Sequence, residues 1–145
     1  ATPTPTAAVR CGHNANQTID NTTTTLLAFN TEKYDTDGMH DTSTNNGRIT
    51  AQTDGYYIIS ASCTWDDEGT NYRNHLVYFN GSTLIARQIW NASSGVEWAS
   101  MINTHYALDA DDYIEFKVYQ NSGGARTITG NTEYSPIFSA MKVTG

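Results

Sequence analysis

Apolar side chains occupy every second position of residues 57–65, and this alternation constrains the fold more than any other feature of the sequence. The apolar set is Tyr57, Ile59, Ala61, Cys63 and Trp65, and the set between them is Tyr56, Ile58, Ser60, Ser62 and Thr64. Successive side chains of a β-strand point to opposite faces, so the two sets lie on opposite faces of one long strand. Asp54-Gly55 predicts a turn before it, because glycine adopts backbone angles that other residues resist. A long half-buried strand needs partner strands on both sides.

Other stretches of the chain supply those partners. Strands are predicted in residues 8–11 (an edge strand), 26–29, 73–79, 84–90, 98–106, 113–119, 127–129 and 137–143, with a short one beginning at Ile49. Asn80-Gly81 is a strong two-residue hairpin signal. In the strand 113–119 the alternation predicts that Ile114, Phe116 and Val118 face inward and that Glu115 and Lys117 face outward. Residues 13–25 and 30–47 are predicted to be loops, because Asn and Thr dominate the first and turn residues the second. Eight to ten short strands without a helical period favour an all-β sandwich or jelly roll.

Composition agrees with this fold class and excludes some partners. The chain has 145 residues, which suits one domain, and only 16% of them are charged. Its net charge of −7 argues against nucleic acid, which requires a basic surface, and against anionic membranes. Residues 1–8, rich in Thr and Pro, are predicted to form an extended arm, and residues 9–145 a single jelly-roll domain. The first residue is Ala, so we expect that something was removed or that the chain is an excised piece.

Two cysteines do not make a disulfide framework. Cys63 lies in the apolar set of the central strand and is predicted to be a small buried hydrophobic residue. A bridge between Cys11 and Cys63 remains the alternative, since sequence does not fix their distance. A mid-strand apolar position is also the wrong place for an activated thiolate. We expect no enzymatic activity and no cofactor.

Three aspartates, Asp35, Asp37 and Asp41, are the candidate metal ligands of the sequence. Against the EF-hand spacing, with glycine at position six, the first and twelfth positions are Lys33 and Thr44, so that motif fails. Other calcium geometries stay open, and a turn rich in Asp is the favoured interpretation.

The turn and strand around residue 55 carry a family resemblance. Ile49, followed by Gly55-x-Tyr57-x-Ile59, resembles the signature of the globular heads of complement-type and tumour necrosis factor-like jelly rolls. The family usually has Phe at the first and last of these positions, where this chain has Ile. The resemblance implies an antiparallel jelly-roll sandwich that forms trimers.

Further motifs extend the resemblance over residues 9–143. Phe29-Asn30, Asn80-Gly81 and residues 135–140 fit the family pattern. Residues 108–114 resemble its Leu-x-x-Gly-Asp-x-Ile turn, with Asp111 where Gly is usual.

Residues 34–41, 119–124 and 135–140 look most like the versions of this domain in bacteriophage particles. That resemblance implies a homotrimer of ten-stranded jelly rolls around a threefold axis, located at a virion surface. The aromatic residues, nine Tyr and three Trp among them, suit a subunit interface as well as ordinary strands.

The resemblance leads to three functional hypotheses. The first is a non-enzymatic homotrimer that decorates and reinforces a bacteriophage capsid, with the capsid as its partner. The second is the receptor- or glycan-binding tip of a phage fibre, in which Trp90 and Trp98 stack on sugar rings. The third is a secreted ligand domain like those of tumour necrosis factor or complement. Sequence alone does not separate the first two.

Overall fold

The computed structural model of the protein describes residues 6–143, and they form two antiparallel β-sheets packed face to face. The strands of this part of the chain are β1 (Ala8–Gly12), β2 (Gln17–Ile19), β3 (Thr25–Leu26), β4 (Thr31–Asp35), β5 (Arg48–Thr50), β6 (Gly55–Trp65), β7 (Tyr72–Phe79), β8 (Thr83–Asn91), β9 (Trp98–Leu108), β10 (Tyr113–Gln120), β11 (Arg126–Ile128) and β12 (Ile137–Lys142). No helix in residues 6–143 is long and apolar enough to cross a membrane. The predicted all-β, antiparallel class is confirmed.

Strand β6, the strand with the clearest alternation, lies inside the seven-stranded sheet. It pairs along its whole length with β9 on one side. On the other side it pairs with β12 and, at its end, with β11. The sheet continues from β12 through β1 to β4, and from β11 to β2. The five-stranded sheet is built on β10, which pairs with β7, β3 and β5, while β8 follows β7.

The core lies between the sheets, and the period-two alternation places its residues there. All five apolar residues of β6 that sequence predicts to face inward have no exposed surface. On β10, Ile114, Phe116 and Val118 are equally buried, as predicted. The Phe138 ring of β12 joins the layers, 6.0 Å from Phe116 and 5.6 Å from Phe29 between centroids. Burying each such side chain stabilises the fold by about 1.5–3 kcal/mol.

The hairpin at Asn80-Gly81 is present but one residue longer than predicted. Phe79 pairs with Thr83, so three residues make the turn, and a bulge follows in the register of β7 and β8. Asn80 and Gly81 both have positive φ, 48° and 79°. The Asn80 side chain donates to Asp112 Oδ1 at 2.8 Å and accepts from the Tyr113 backbone N–H at 2.9 Å. The hairpin is thereby tied to the acidic turn before β10.

Five local predictions were wrong, besides the length of the hairpin. The strand predicted over residues 26–29 is β3, which ends at Leu26. Residues 13–25, predicted as loop, contain β2 and the first residue of β3, and residues 30–47 contain β4. β2 has only three residues and β4 buries none of its five, so no apolar alternation marks either strand. β1, predicted to be an edge strand, pairs with both β12 and β4. Glu115, predicted to face solvent, is only 6% exposed, because Arg48 of β5 lies beside it.

The two ends of the described chain meet. Ala8 lies opposite Met141 in the pairing of β1 with β12, and the Lys142 N–H donates to the Ala7 carbonyl at 2.8 Å. The predicted arm covers residues 1–8, of which 1–5 lie outside the described residues; β1 begins at Ala8.

Candidate functional site

The face of the seven-stranded sheet that points away from the core carries a strip of exposed apolar side chains. We call it the outer face; its strip consists of Tyr56 and Ile58 of β6, Met101 of β9 and Met141 of β12. Their exposed fractions are 67%, 47%, 52% and 48%, so each side chain offers about half its surface or more. Single exposed apolar residues are ordinary, but a contiguous patch marks an interaction surface.

The sheet register makes Tyr56, Ile58 and Met141 neighbours, whereas Met101 lies opposite Ser62, beyond the polar row of Ser60 and Asn103. Ile58 lies between Met141 on β12 and His105 on β9. One row further along the sheet, the Ser60 hydroxyl is 2.6 Å from the Asn103 Oδ1. The strands here are long, 11 residues each for β6 and β9, which corresponds to about 35 Å of sheet at ~3.3 Å per residue. The outer face is therefore large enough to receive another folded protein surface.

Trp90 and Trp98, the predicted binding residues, meet where the edges of the two sheets approach each other. Trp90 is the last residue but one of β8 and Trp98 begins β9, with ring centroids 6.3 Å apart. Both rings are half-buried and pack against the core. Trp90 also meets the His75 ring edge-on at 4.6 Å. Their indole N–H groups are buried without a hydrogen-bond partner among the described residues. The structure brings the pair together, and its binding role stays a prediction.

A buried cluster of Cys63, Trp65 and His75 lies beneath those rings. Trp65 Nε1 donates to His75 Nε2 at 3.0 Å, so that nitrogen carries no proton. Cys63 Sγ is 3.0 Å from the same nitrogen. Burial lowers the pKa of His75 to about 3 and raises the pKa of Cys63 well above its usual range. Both groups are neutral at pH 7, so this pair is not an activated thiolate–imidazolium pair.

Both cysteines are free and buried, so the alternative of a Cys11–Cys63 bridge is not found in the structure. Cys63 has no exposed surface, as predicted for a small hydrophobic residue. Burial also raises the pKa of the Cys11 thiol, with the carboxylates of Glu32 and Asp35 adding to the effect.

The candidate metal ligands Asp35 and Asp41 each bind backbone amides. The two carboxylate oxygens of Asp35 accept the N–H groups of Met39 and His40 at 2.8 and 2.9 Å. Asp41 Oδ1 accepts those of Ser43 and Thr44 at 2.8 and 2.9 Å. These bonds to Ser43 and Thr44 hold the pKa of Asp41 below its usual value.

Asp37 has one buried carboxylate oxygen without a hydrogen-bond partner among the described residues. Within residues 6–143 no three His, Cys, Asp or Glu side chains converge as a metal site would require. The sequence favoured a turn rich in Asp, and the alternative of a calcium site gains no converging ligands among the described residues.

The segment 35–46, which we call the clamped loop, is fixed by His40 as well. His40 Nε2 donates to the Asn46 carbonyl at 2.9 Å, and Nδ1 lies 3.0 Å from Glu32 Oε2. The Met39 carbonyl accepts the Thr50 N–H of β5 at 2.8 Å, and the Met39 side chain is buried. No sequence motif indicated this role for His40.

An open pocket of about 340 Å³ lies between the clamped loop and the strand β5. Its lining residues are Gly38, Met39, His40, Asp41, Thr44, Asn45, Arg48, Thr50 and Gln52. The Arg48 guanidinium lies over the Tyr113 ring, its central carbon 3.8 Å from the ring centroid, and its Nη2 is 3.6 Å from Glu115 Oε2. The lining residues are mostly polar, and sequence analysis identified only Asp41 among them as a candidate.

No protein-family model matches the sequence, and no curated protein matches it. Solved structures do match. Murine APRIL at pH 5.0 aligns with a TM-score of 0.73 and 10% identity, over 94% of this chain and 98% of that one. The Eiger TNF of S. frugiperda gives 0.70 and 13%, over 97% and 94%. The globular domain of zebrafish complement 1qA gives 0.65 and 11%, over 95% and 98%.

These alignments confirm the predicted fold type. The chain is an antiparallel jelly-roll sandwich like the domains of the TNF family and the globular domain of complement 1q. At identities of 10–13% the likeness shows the fold alone, so function has to be argued from the surfaces described above.

Proposed function

We propose that this chain is a non-enzymatic jelly-roll subunit that assembles into a homotrimer through its outer face and serves as a surface module of a virus particle. In this role it decorates a bacteriophage capsid and reinforces it by bridging capsid subunits. The observation that carries the proposal is the set of apolar side chains that a single chain leaves exposed on this face: the neighbouring Tyr56, Ile58 and Met141, with Met101 two rows away.

Assembly explains this strip physically. Apolar surface removed from water contributes about 25 cal/mol per Å², and a standard protein interface buries about 800 Å² per partner. A flat sheet of long strands offers such an area. The resemblance to threefold jelly rolls supports a trimer over a dimer, and the virion role rests on the residue patterns of 34–41, 119–124 and 135–140.

A non-enzymatic role is supported by the chemistry of the buried groups. The close pair of Cys63 and His75 is neutral and enclosed in the core. Asp35 and Asp41 use their carboxylates to hold backbone amides, which is a structural task.

Light scattering tests the assembly. The wild-type chain should show a mass three times 15.9 kDa that is stable on dilution. Ile58→Lys should reduce the mass to that of one chain, because it places a charge in the interface. Ile89→Lys is the matched control, since Ile89 is 49% exposed against 47% for Ile58 but lies on β8 of the other sheet. A wild-type chain that stays monomeric contradicts the proposal.

Thermal unfolding of phage capsids with and without the protein tests the virion role. Bound trimers should raise the temperature at which the shells open, while the Ile58→Lys variant should not. Absence of any binding to shells would contradict the decoration role but not the proposed trimer.

A receptor-binding head is the second candidate. The structural likeness to APRIL, to the Eiger TNF and to the complement 1qA domain favours it. This candidate includes both a phage fibre tip and a ligand domain. Binding of the trimer to host cells but not to shells would support it over capsid decoration.

A further inference from the structure

The geometry points to the pocket between the clamped loop and β5 as a binding site for a neutral, polyhydroxylated ring, such as a hexose at the end of a glycan. This inference deepens the receptor-binding candidate and rests on it for its biological role. The pocket itself is lined by residues of a single chain and lies apart from the apolar strip of the outer face.

The first argument is the set of hydrogen-bonding groups in the lining. Thr44 and Thr50 contribute hydroxyls, Asn45 and Gln52 contribute amides, and Arg48 contributes a guanidinium. A sugar ring carries adjacent hydroxyls, each of which both donates and accepts. Hydroxyls and amides offer both functions as well, so this lining matches such a ring better than it matches an apolar ligand.

The second argument is charge. Arg48 is paired with Glu115, whose carboxylate lies 3.6 Å from the guanidinium and is almost fully buried. Asp41, at the exposed rim, adds a negative charge, and one of its oxygens is already engaged by Ser43 and Thr44. The Arg48 charge is therefore compensated, and an anionic ligand would find no net attraction. A neutral ligand suits a pocket whose positive charge is already compensated.

The third argument is rigidity. Asp35 and Asp41 hold the clamped loop by bonds to four backbone N–H groups. His40 is bound through both ring nitrogens, and the Tyr113 ring supports the Arg48 guanidinium. A site ordered before binding loses little conformational freedom when the ligand arrives, which raises affinity.

The fourth argument is size. The pocket volume of about 340 Å³ lies at the low end of the ~300–1,000 Å³ typical of small-ligand sites. Such a volume suits one or two sugar rings and is open on one side, so the rest of a glycan could extend into solvent.

Saturation-transfer NMR of the full chain with methyl glycosides of glucose, galactose and mannose is the test. Glucuronate, sialic acid and inorganic phosphate are the anionic probes. At least one neutral glycoside should bind in the millimolar range. Arg48→Met should weaken that binding about tenfold or more, and the isosteric Thr50→Val about threefold, since each removes hydrogen bonds to the ligand. Arg87→Met and Thr83→Val, exposed positions of β8 outside the pocket, should leave it unchanged.

The outcomes separate the possibilities. Binding of the anionic probes alone overturns the inference of a neutral ring. No binding by any probe, or equal binding by the pocket and control variants, overturns the site itself. Thr50→Val keeps the test decisive if Arg48→Met misfolds. Light scattering on the same samples separates the proposals, because a monomer that still binds the glycoside contradicts only the proposed trimer.

Discussion

At the scale of single residues, His75 shows how burial removes a charge from the core. The imidazole accepts the Trp65 N–H and is packed among Trp90, Phe116 and Cys63. Because the ring has no exposed surface, desolvation lowers its pKa to about 3. The unfolded chain exposes the same ring, and there it titrates near pH 6.5.

We predict that stability falls as the pH drops below 6.5. Between pH 6.5 and about 3 the unfolded chain binds a proton on His75 and the native chain does not, so the stability present above pH 6.5 is progressively lost. The loss should be about 1.4 kcal/mol per pH unit from this group. His75→Gln, which keeps an acceptor for Trp65, should remove that slope in urea unfolding between pH 7 and 4.5. His13→Gln at the surface should keep it, and an unchanged slope in His75→Gln would contradict the assignment.

Asp111 occupies a turn position whose backbone conformation favours glycine. Its φ is 77°, in the region that favours glycine, and this is the position where the resembling domains have Gly. Its backbone N–H donates to the Ala51 carbonyl at 2.8 Å, a bond that any residue retains.

Asp111→Gly should therefore stabilise the fold by about 0.5 kcal/mol, because relief of backbone strain exceeds the entropy cost of glycine. The melting temperature should rise by about 1–2 °C. Asp109→Gly in the same turn, where φ is not positive, should lower it. A lower melting temperature for Asp111→Gly would show that the aspartate is not strained.

At the scale of elements, hydrogen bonds from polar side chains hold the clamped loop in place, whereas burial of apolar side chains holds the strands. Its one large apolar side chain, Met39, is buried, and the side chains of Asp35, His40 and Asp41 add polar anchors. Loss of one of these anchors should loosen the loop without unfolding the sandwich.

Asp35→Ala should show this, since it leaves the amides of Met39 and His40 without their acceptors at a cost of about 2 kcal/mol. Hydrogen exchange at these two amides should accelerate, while exchange in β6 and β10 stays slow. Asp20→Ala, a change at an exposed aspartate, serves as the control. Equal protection in the variant would mean that other contacts hold the loop.

The sequence predicted some elements and missed others for a physical reason. β6, β9 and β10 were predicted because each buries alternate apolar side chains. β2 and β4 were missed because β2 has only three residues and β4 buries none of its five, so neither edge strand carries such a pattern. The pocket was missed for a related reason. Arg48 and Thr50 line it together with Thr44 only because the loop folds back on β5, and no sequence pattern indicates that contact.

At the scale of the whole molecule, the apolar strip was visible in the sequence only in part. Tyr56 and Ile58 are apolar residues in the otherwise polar set of β6, but Met141 and Met101 belong to distant stretches of the chain. The sheet register places Met141 beside Ile58 and Met101 beside Ser62. Pairing of β6 with β9 and β12 was not predictable from alternation, because every strand with that pattern is an equal candidate partner.

A trimer should make thermal stability depend on concentration, since dilution favours dissociated chains. The wild-type melting temperature should rise with protein concentration, and that of Ile58→Lys should be constant and lower. Ile89→Lys should behave as the wild type. A wild-type melting temperature independent of concentration over two orders of magnitude would argue against a dissociable assembly.

The two ends of the described chain lie close together, so the chain is suited to circular permutation. Because Ala8 and Met141 lie side by side on adjacent strands, a linker of a few residues can join the ends without crossing the sandwich. New ends can then be opened in the exposed turn after β10. The resulting circular permutant would keep every pair of neighbouring strands. The pairing of the strands would then not depend on their order along the chain.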